Sequence, residues 1–312
     1  MPGKKQGNKH LKTLLAASIL AGATASTVLS PAEAQTLDRI KTSGALKLGY
    51  EPDARPFSFK TEQAEPGGYA VALCGKIADS LKTALNQPQL NVEWVPLTDK
   101  GREPAVKDGT VDLVCGAAPI TLARRAEVSF SLPIFPSGTG VVLSKSAPLA
   151  LTEVLAYGQP SSRPIWRGSP ARTVLEHKTF SSIAGTTSEG WLAERIKTFQ
   201  LAATSVPVES YTIGIERVVD GSSAALFGDM PLLMDAVARS DNADNLVVLR
   251  RHFTYEPLGL ELARGDEDFR LAVDRALSQT YASADFAGLF TTWFGVPDEA
   301  IVTFFRQTAL PE

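Results

Sequence analysis

The first part of the chain alternates short apolar segments with segments of helical periodicity. Strands are predicted at residues 46–50, 92–97 and 111–115. Residues 71–85 place apolar side chains on one face of a helix, and a short helix is predicted at 103–107. The face of the longer helix carries Cys74, Ile77, Ala78, Leu81 and Leu85. This alternation predicts a parallel sheet with right-handed crossovers.

A second series of the same kind follows. Its predicted strands cover residues 180–184, 205–209, 224–227 and 246–249. One predicted helix begins after residue 185, and others cover residues 213–219, 231–238 and 269–281. The chain therefore contains two α/β units. Between them, residues 145–172 are rich in Pro, Ser, Ala and Arg and show no strong period. This segment is either a surface elaboration of the second unit or a loose linker.

The amino terminus has the layout of a secretory signal peptide. Lysines come first, an apolar run covers residues 14–29, and the small-x-small triplet Ala32-Glu33-Ala34 follows. An uncleaved membrane anchor is the alternative, but it needs about 20 apolar residues. We expect cleavage before Gln35 and an exported protein in the periplasm. No cysteine stands at the cleavage site, so a lipid anchor is not expected.

Charge and residue spacing exclude several classes of function. The formal net charge is −3, and residues 1–34 hold four lysines and one carboxylate, so the remainder is more acidic still. This argues against nucleic-acid binding, which requires clustered basic charge. Cys74, Cys115, His177 and His252 show no metal-ligand spacing. No metal site and no cofactor are expected.

Cys74 and Cys115 either form a disulfide or remain buried thiols. Cysteines often pair in an oxidising compartment, whereas a free cysteine packs as a small apolar residue. Cys74 lies on the core face of the predicted helix 71–85, and Cys115 ends a strand that such a helix covers. We therefore expect the two cysteines to pair.

Three polar segments follow predicted strands, at the ends where open α/β sheets bind ligands. One leads from Gly116 to Arg124, whose guanidinium can hold a carboxylate through two hydrogen bonds. Residues 185–189 open a helix, and its free N–H groups and hydroxyls attract an anion. Asp229 stands just before Pro231, where a carboxylate can hold an ammonium. Each feature also has a plainer reading, a surface ion pair for the arginine and helix capping for the others.

Taken together, these segments match the two charges of a free amino acid. They supply two anion-binding elements and one cation-binding element. The Gly-x-Ser-x-Gly, His-Glu-x-x-His and P-loop motifs of common hydrolases are missing from the sequence. The pattern favours ligand binding over catalysis.

A set of longer motifs in a fixed order carries a family resemblance. The most telling are Arg55-Pro56-Phe57-Ser58-Phe59, Thr121-x-x-Arg124, Gly185-Thr186-Thr187-Ser188-Glu189, Gly228-Asp229 and Trp293-Phe294-Gly295. In their order and spacing, residues 36–296 resemble the polar amino-acid solute-binding proteins of bacterial ABC importers, in particular the glutamate/aspartate-binding branch.

The resemblance implies the α/β fold of type II periplasmic binding proteins, in which two hinge strands join two lobes and a cleft lies between them. The implied organisation is a signal peptide at 1–34, lobe 1 at 35–137 and 256–296, lobe 2 at 138–255, and a C-terminal tail at 297–312. Ligand capture in this family is a closure of the two lobes.

The resemblance also implies a set of ligand-binding residues. The arginine that matches Arg124 grips the ligand carboxylate, and the aspartate that matches Asp229 holds the amino group. Thr186 and Thr187 match threonines that assist from the second lobe. Phe57 matches an aromatic residue that often packs on the ligand.

The implied set also includes Thr121, which lies one helical turn before Arg124, and two charged residues of lobe 1. Glu51 stands where the glutamate-binding branch has an arginine, as in proteins that bind basic amino acids. Arg102 matches an arginine that reads a side-chain carboxylate in that branch. These two charges can pair with each other. We expect a polar or charged amino acid whose side chain lies near these two residues. A free Glu51 would favour a cationic or amide side chain, whereas a Glu51 paired with Arg102 would favour a dicarboxylic or uncharged polar ligand.

The expected function is a non-enzymatic binding protein, monomeric, that delivers an amino acid to an ABC transporter permease at the inner membrane. The family also resembles periplasmic cyclohexadienyl dehydratases, so an enzyme of that kind is the alternative. It needs a general acid in lobe 2, for which Glu189 and Glu216 are the nearest candidates. A sensory module that serves a membrane receptor is a third reading.

Overall fold

The computed structural model describes residues 36–158 and 170–312. The predicted signal peptide, residues 1–34, lies outside the described residues. The first elements are α1 (Thr36–Ser43), β1 (Ala45–Tyr50), β2 (Asp53–Ala54), β3 (Ser58–Lys60), β4 (Pro66–Gly67), α2 (Tyr69–Ala84), β5 (Asn91–Pro96), α3 (Arg102–Lys107), β6 (Leu113–Pro119), α4 (Leu122–Arg125), β7 (Ser129–Phe130) and β8 (Phe135–Ser137).

The chain then builds a second group of elements. These are β9 (Thr139–Ser144), α5 (Leu149–Tyr157), α6 (Pro170–Leu175), β10 (Thr179–Ile183), α7 (Thr187–Thr198), β11 (Thr204–Val208), α8 (Tyr211–Val219), β12 (Ala225–Asp229), α9 (Met230–Ala238) and β13 (Leu246–Val248). The last elements are β14 (Glu256–Leu262), α10 (Glu267–Ala282), α11 (Phe286–Phe294) and α12 (Glu299–Thr308).

One sheet, which with its helices we call lobe 1, has the strand order β5-β1-β6-β14-β7, and β8 also pairs with β14. Strand β1 is parallel to β5 and β6, whereas β14 is antiparallel to β6. Helices α2 and α10 pack together on one face of this sheet. The core there includes Leu48, Leu73, Ile77, Val273 and Leu277, all fully buried.

The other large sheet, with its helices, is lobe 2, and its order is β11-β10-β12-β9-β13. Strand β10 is parallel to β11 and β12, and β9 is antiparallel to β12 and β13. Two apolar cores cover its faces, one around Phe180 and Phe227 and one around Val208 and Leu233. The small sheet β2-β3-β4 belongs to neither large sheet.

The chain passes between the two large sheets twice, and the two crossings touch. Gly138 separates β8 from β9, and β14 begins just after Thr254. The Thr139 N–H donates to Thr254 Oγ1 over 2.8 Å. A Cβ at Gly138 would clash with the Thr254 carbonyl, so only glycine permits this approach. The two crossings are therefore held against each other.

The Cys74–Cys115 disulfide is present, which confirms that prediction. It joins α2 to β6 with a Cα–Cα distance of 6.1 Å. Both cysteines are fully buried. The bond therefore fixes the helix over the middle strand of the lobe 1 sheet.

The structure corrects the predicted end of one strand and adds helices in two segments that the sequence left open. Strand β6 does not end at Cys115, because residues up to Pro119 continue to pair with β14. The segment 145–172 contains helix α5, and helix α6 begins within it. The C-terminal tail contains α12, whose Phe305 is buried in the lobe 1 core.

Neither a membrane-spanning helix nor a metal-binding cluster is present in the described residues. In residues 36–158 and 170–312, no helix has the length and apolar character needed to cross a bilayer. The same residues contain no cluster of three or more His, Cys, Asp or Glu side chains that could hold a metal ion.

Candidate ligand-binding site

A cavity of about 490 Å³ lies between the two lobes. Its walls come from the carboxyl end of β1, the start of α3 and the residues around α4 in lobe 1, and from the starts of α7, α8 and α9 in lobe 2. Charges of both signs reach it from different lobes. Arg124 lines it from lobe 1, and Asp229 lines it from lobe 2.

Arg124 is held at the cavity wall by the local structure of α4. Thr121 is the N-cap residue of this helix, and its hydroxyl accepts a hydrogen bond from the Arg124 N–H. The guanidinium donates to the carbonyl of Pro119 over 3.4 Å. Its Nε lies 3.7 Å from Glu103 Oε1. The arginine is therefore oriented by the end of β6 and paired with an acid at the rim.

A second charged group of lobe 1 lies deeper. Arg102 Nη1 is 3.2 Å from Glu51 Oε2, and Arg102 Nε is 3.8 Å from Glu261 Oε2. All three residues are buried. A Cβ at Gly116 would clash with the Glu51 carboxylate. Glycine at this position therefore gives Glu51 room beside Arg102.

Glu261 is the most deeply buried of these three residues. Burial raises the pKa of its carboxyl above the ordinary value, and the guanidinium groups of Arg102 and Arg124 act in the opposite direction. Neither of its carboxylate oxygens has a hydrogen-bond partner within the described residues. Its interactions with the protein are therefore mainly electrostatic.

Lobe 2 contributes Asp229 from the junction of β12 and α9. Asp229 occupies the N-cap position of α9, and its side chain makes no capping hydrogen bond there. Its backbone N–H donates to the Tyr211 hydroxyl over 3.2 Å. The Tyr211 ring packs so closely on Gly228 that a Cβ there would press on it. Helix capping thus does not account for the Asp229 carboxylate.

The two threonines before α7 have different roles. The Thr186 hydroxyl caps α7 by accepting from the Glu189 N–H, and it donates to the carbonyl of Ile183. The Glu189 carboxylate accepts from the Gly185 N–H over 2.7 Å. The Thr187 hydroxyl is buried and has no hydrogen-bond partner within the described residues. Unlike the Thr186 hydroxyl, that of Thr187 is therefore not used in capping α7.

The structure brings most of the sequence-predicted site residues to the cavity. The residues that line it are Glu51, Arg102, Arg124, Thr186, Thr187 and Asp229. Phe57 and Thr121 are not among the lining residues. Phe57 is fully buried and packs against the rings of Tyr69, Phe135 and Phe294. The Thr121 hydroxyl is used to cap α4.

Sequence reasoning missed Glu261. A signal was present, because it is the lone acid in the apolar run from Pro257 to Leu262. An acid in such a strand is buried and needs a positive partner. Nothing in the sequence indicates that this partner is Arg102, since the two residues lie far apart in the chain.

Two α/β lobes, joined by two crossings around a cavity with charges of both signs, define a two-lobed ligand-binding protein. The model for bacterial extracellular solute-binding proteins, family 3, matches residues 46–296, and the chain belongs to that family. The resemblance stated from sequence motifs is thereby confirmed.

The chain is similar in sequence to proteins that are named for amino-acid binding or import. The chain is 28% identical over 286 residues to the L-glutamate/L-aspartate-binding protein of Pseudomonas aeruginosa, with 91% of this chain and 88% of the relative covered. It is 25% identical to the glutamate/aspartate import solute-binding protein of Escherichia coli K12, with coverage of 94% and 90%. These names describe binding and import proteins rather than enzymes.

Solved structures confirm the fold class, type II periplasmic binding proteins. An ancestral amino-acid-binding protein, described as a precursor of cyclohexadienyl dehydratase, matches with a TM-score of 0.65 and 26% identity, covering 83% of this chain and 99% of its own. A cysteine-binding protein from Campylobacter jejuni matches with a TM-score of 0.66 and 19% identity, with coverage of 85% and 96%. At that identity the second match shows the fold alone.

Proposed function

We propose that this chain captures a free amino acid in the periplasm and delivers it to an ABC importer permease at the inner membrane. One observation carries the proposal: an arginine of lobe 1 and an aspartate of lobe 2, Arg124 and Asp229, line the same cavity. A zwitterion satisfies both charges at once. The names of the relatives from Pseudomonas aeruginosa and Escherichia coli support the same ligand class.

In this proposal the ligand carboxylate binds Arg124 and takes the place of Glu103, which lies 3.7 Å from the guanidinium. The ammonium binds Asp229, and the Thr187 hydroxyl gains a hydrogen-bond partner. Because these groups come from different lobes, the ligand favours the closed arrangement of the lobes over the open one. The paired crossings at Gly138 and Thr254 support hinge closure and the lobe boundaries 35–137 with 256–296 and 138–255.

A dehydratase-like enzyme is the second candidate, and the solved structure of the dehydratase precursor is the reason to test it. Its lobe 2 general acid would be Glu189 or Glu216. The Glu189 carboxylate is engaged with the Gly185 N–H at the start of α7. Glu216 is exposed on α8, and neither acid is among the residues that line the cavity. Neither of these two acids is therefore placed to act on a ligand in the cavity.

A ligand screen of the secreted protein tests the proposal. Thermal shift and calorimetry with each common amino acid should give binding, while prephenate and arogenate should be neither bound tightly nor converted. Dehydration of either compound would replace this proposal by the enzyme. A protein that binds no amino acid would refute it.

Two companion measurements address the processing and assembly of the protein. Amino-terminal sequencing of the exported protein should begin at Gln35, and a start elsewhere by more than a few residues would contradict the proposed cleavage. Light scattering of the purified protein should give the mass of a monomer with and without ligand. A stable dimer would contradict the monomeric part of the proposal.

A further inference from the structure

Glu261 is a buried carboxylate that the proposed function leaves unexplained. It lies on β14, where it is paired in register with Val114 of β6 and Phe130 of β7. The residue is 1% exposed, and its carboxylate oxygens have no hydrogen-bond partner within the described residues. A buried ion without hydrogen bonds is costly. Its place in the fold therefore depends on a nearby positive charge.

That charge is Arg102, which also faces Glu51. Its Nε lies 3.8 Å from Glu261 and its Nη1 lies 3.2 Å from Glu51. One guanidinium thus faces two carboxylates through different nitrogen atoms, and the three side chains together carry more negative than positive charge. Arg102 and Glu51 line the cavity, whereas Glu261 is not among the lining residues and is shielded from it.

We propose that Glu261 is a positioning residue that sets the charge preference for the ligand side chain. This inference rests on the proposed function. Glu261 holds Arg102 from inside lobe 1, so the charge that the ligand side chain meets is the carboxylate of Glu51. The site then prefers amino acids whose side chains are cationic or donate hydrogen bonds, and it disfavours dicarboxylic acids, unlike what the names of the relatives would suggest. This differs from the sequence-based expectation for a paired Glu51, because that expectation did not include the second carboxylate beside Arg102.

The preference follows from how each kind of ligand side chain would affect the ion pair between Glu51 and Arg102. An acidic side chain would approach Glu51 as a like charge, and Arg102 could bind it only by turning away from a carboxylate that it already faces. That carboxylate would then be buried without its partner, which is strongly unfavourable. An ammonium, guanidinium or amide group instead adds a donor to Glu51 and leaves Arg102 in place.

Calorimetry with L-lysine, L-glutamine and L-glutamate tests the proposal on three proteins: wild type, Glu261→Gln and Glu103→Gln. Wild type should bind lysine or glutamine more tightly than glutamate. Glu261→Gln keeps the shape and removes one negative charge beside Arg102, so the affinity ratio should shift toward glutamate by about tenfold, or about 1.4 kcal/mol.

Glu103→Gln is the matched control. Glu103 pairs with Arg124, which the proposal assigns to the carboxylate that all amino acids share. Its neutralisation should mainly change all three affinities by a similar factor, and it should shift their ratios by less than Glu261→Gln does, because Glu103 acts on Glu261 only at longer range. Glu261→Asp, which keeps the charge, should retain the wild-type order of preference.

The outcomes separate the two proposals. Binding of no amino acid by wild type would refute the proposed function. Binding with glutamate as the tightest ligand of wild type, or a ratio that Glu261→Gln leaves within about threefold, would overturn the role of Glu261 alone. If Glu261→Gln fails to fold, a wild-type preference for glutamate still overturns the role of Glu261, and so does a changed order of preference in Glu261→Asp.

Discussion

The Cys74–Cys115 disulfide should contribute a large and measurable part of the stability of lobe 1. It closes a loop with a sequence separation of 41 residues. The chain-entropy relation gives about 4 kcal/mol for a loop of that length at 25 °C, because the cross-link restricts the unfolded chain. We expect the free energy of unfolding to fall by about that amount when the bond is opened.

Urea unfolding of three samples measures this contribution. Oxidised wild type is compared with reduced wild type, which keeps both sulfur atoms and isolates the effect of the cross-link. The variant Cys74→Ala/Cys115→Ala should lose more, because both side chains are fully buried and their removal leaves cavities. With a urea dependence of about 3 kcal/mol per molar, opening the bond should lower the midpoint by about 1 M.

Thiol titration and the midpoint difference supply the checks. Unfolded, unreduced wild type should show no free thiol from these two cysteines. If oxidised and reduced wild type unfold at the same urea concentration, the restriction of the unfolded chain does not stabilise this protein. The loop-closure reasoning would then be refuted, although the bond itself would remain.

Two further predictions concern the cavity. Arg124→Ala and Asp229→Ala should each weaken binding of every amino acid by about 2–5 kcal/mol, because each leaves one ligand charge without its partner; calorimetry that finds either variant within about threefold of wild type would reject these assignments. Gly116→Ala should displace the carboxylate of Glu51, since the added Cβ would clash with it, and should weaken binding at unchanged secondary structure by circular dichroism. Gly75→Ala on α2, where a Cβ would have nothing within 4 Å, is the matched control and should bind as wild type does.

Periodicity predicted most of the fold because each amphipathic element has a core on only one side. The helix expected at 71–85 is α2 (Tyr69–Ala84), and the strand expected at 92–97 is β5 (Asn91–Pro96). Strand β6 extends past its predicted end because Ala118 and Pro119 pair with residues of β14. A contact between strands so far apart in sequence leaves no local pattern.

Site residues could be predicted from the sequence where one role is usual for the residue type. They were harder to predict where side-chain packing determines whether a residue faces the cavity. Arg124 and Asp229 follow strand ends and line the cavity as expected. Phe57 could have faced the cavity or the core, and the rings of α2 and α11 around it determine the outcome. Glu261 required knowledge of which strand lies beside β6, which depends on the tertiary fold.

The position of β14 has a consequence for the order in which the protein can form. This strand lies between β6 and β7 in the lobe 1 sheet, yet it is synthesised after all of lobe 2. Lobe 2 is continuous in sequence, and its core is complete once Leu249 and Phe253 have been synthesised. The lobe 1 sheet lacks the strand between β6 and β7 until β14 has been synthesised. Its apolar face stays exposed until α10 follows. An emerging chain therefore exposes lobe 1, rather than lobe 2, to premature association with other chains.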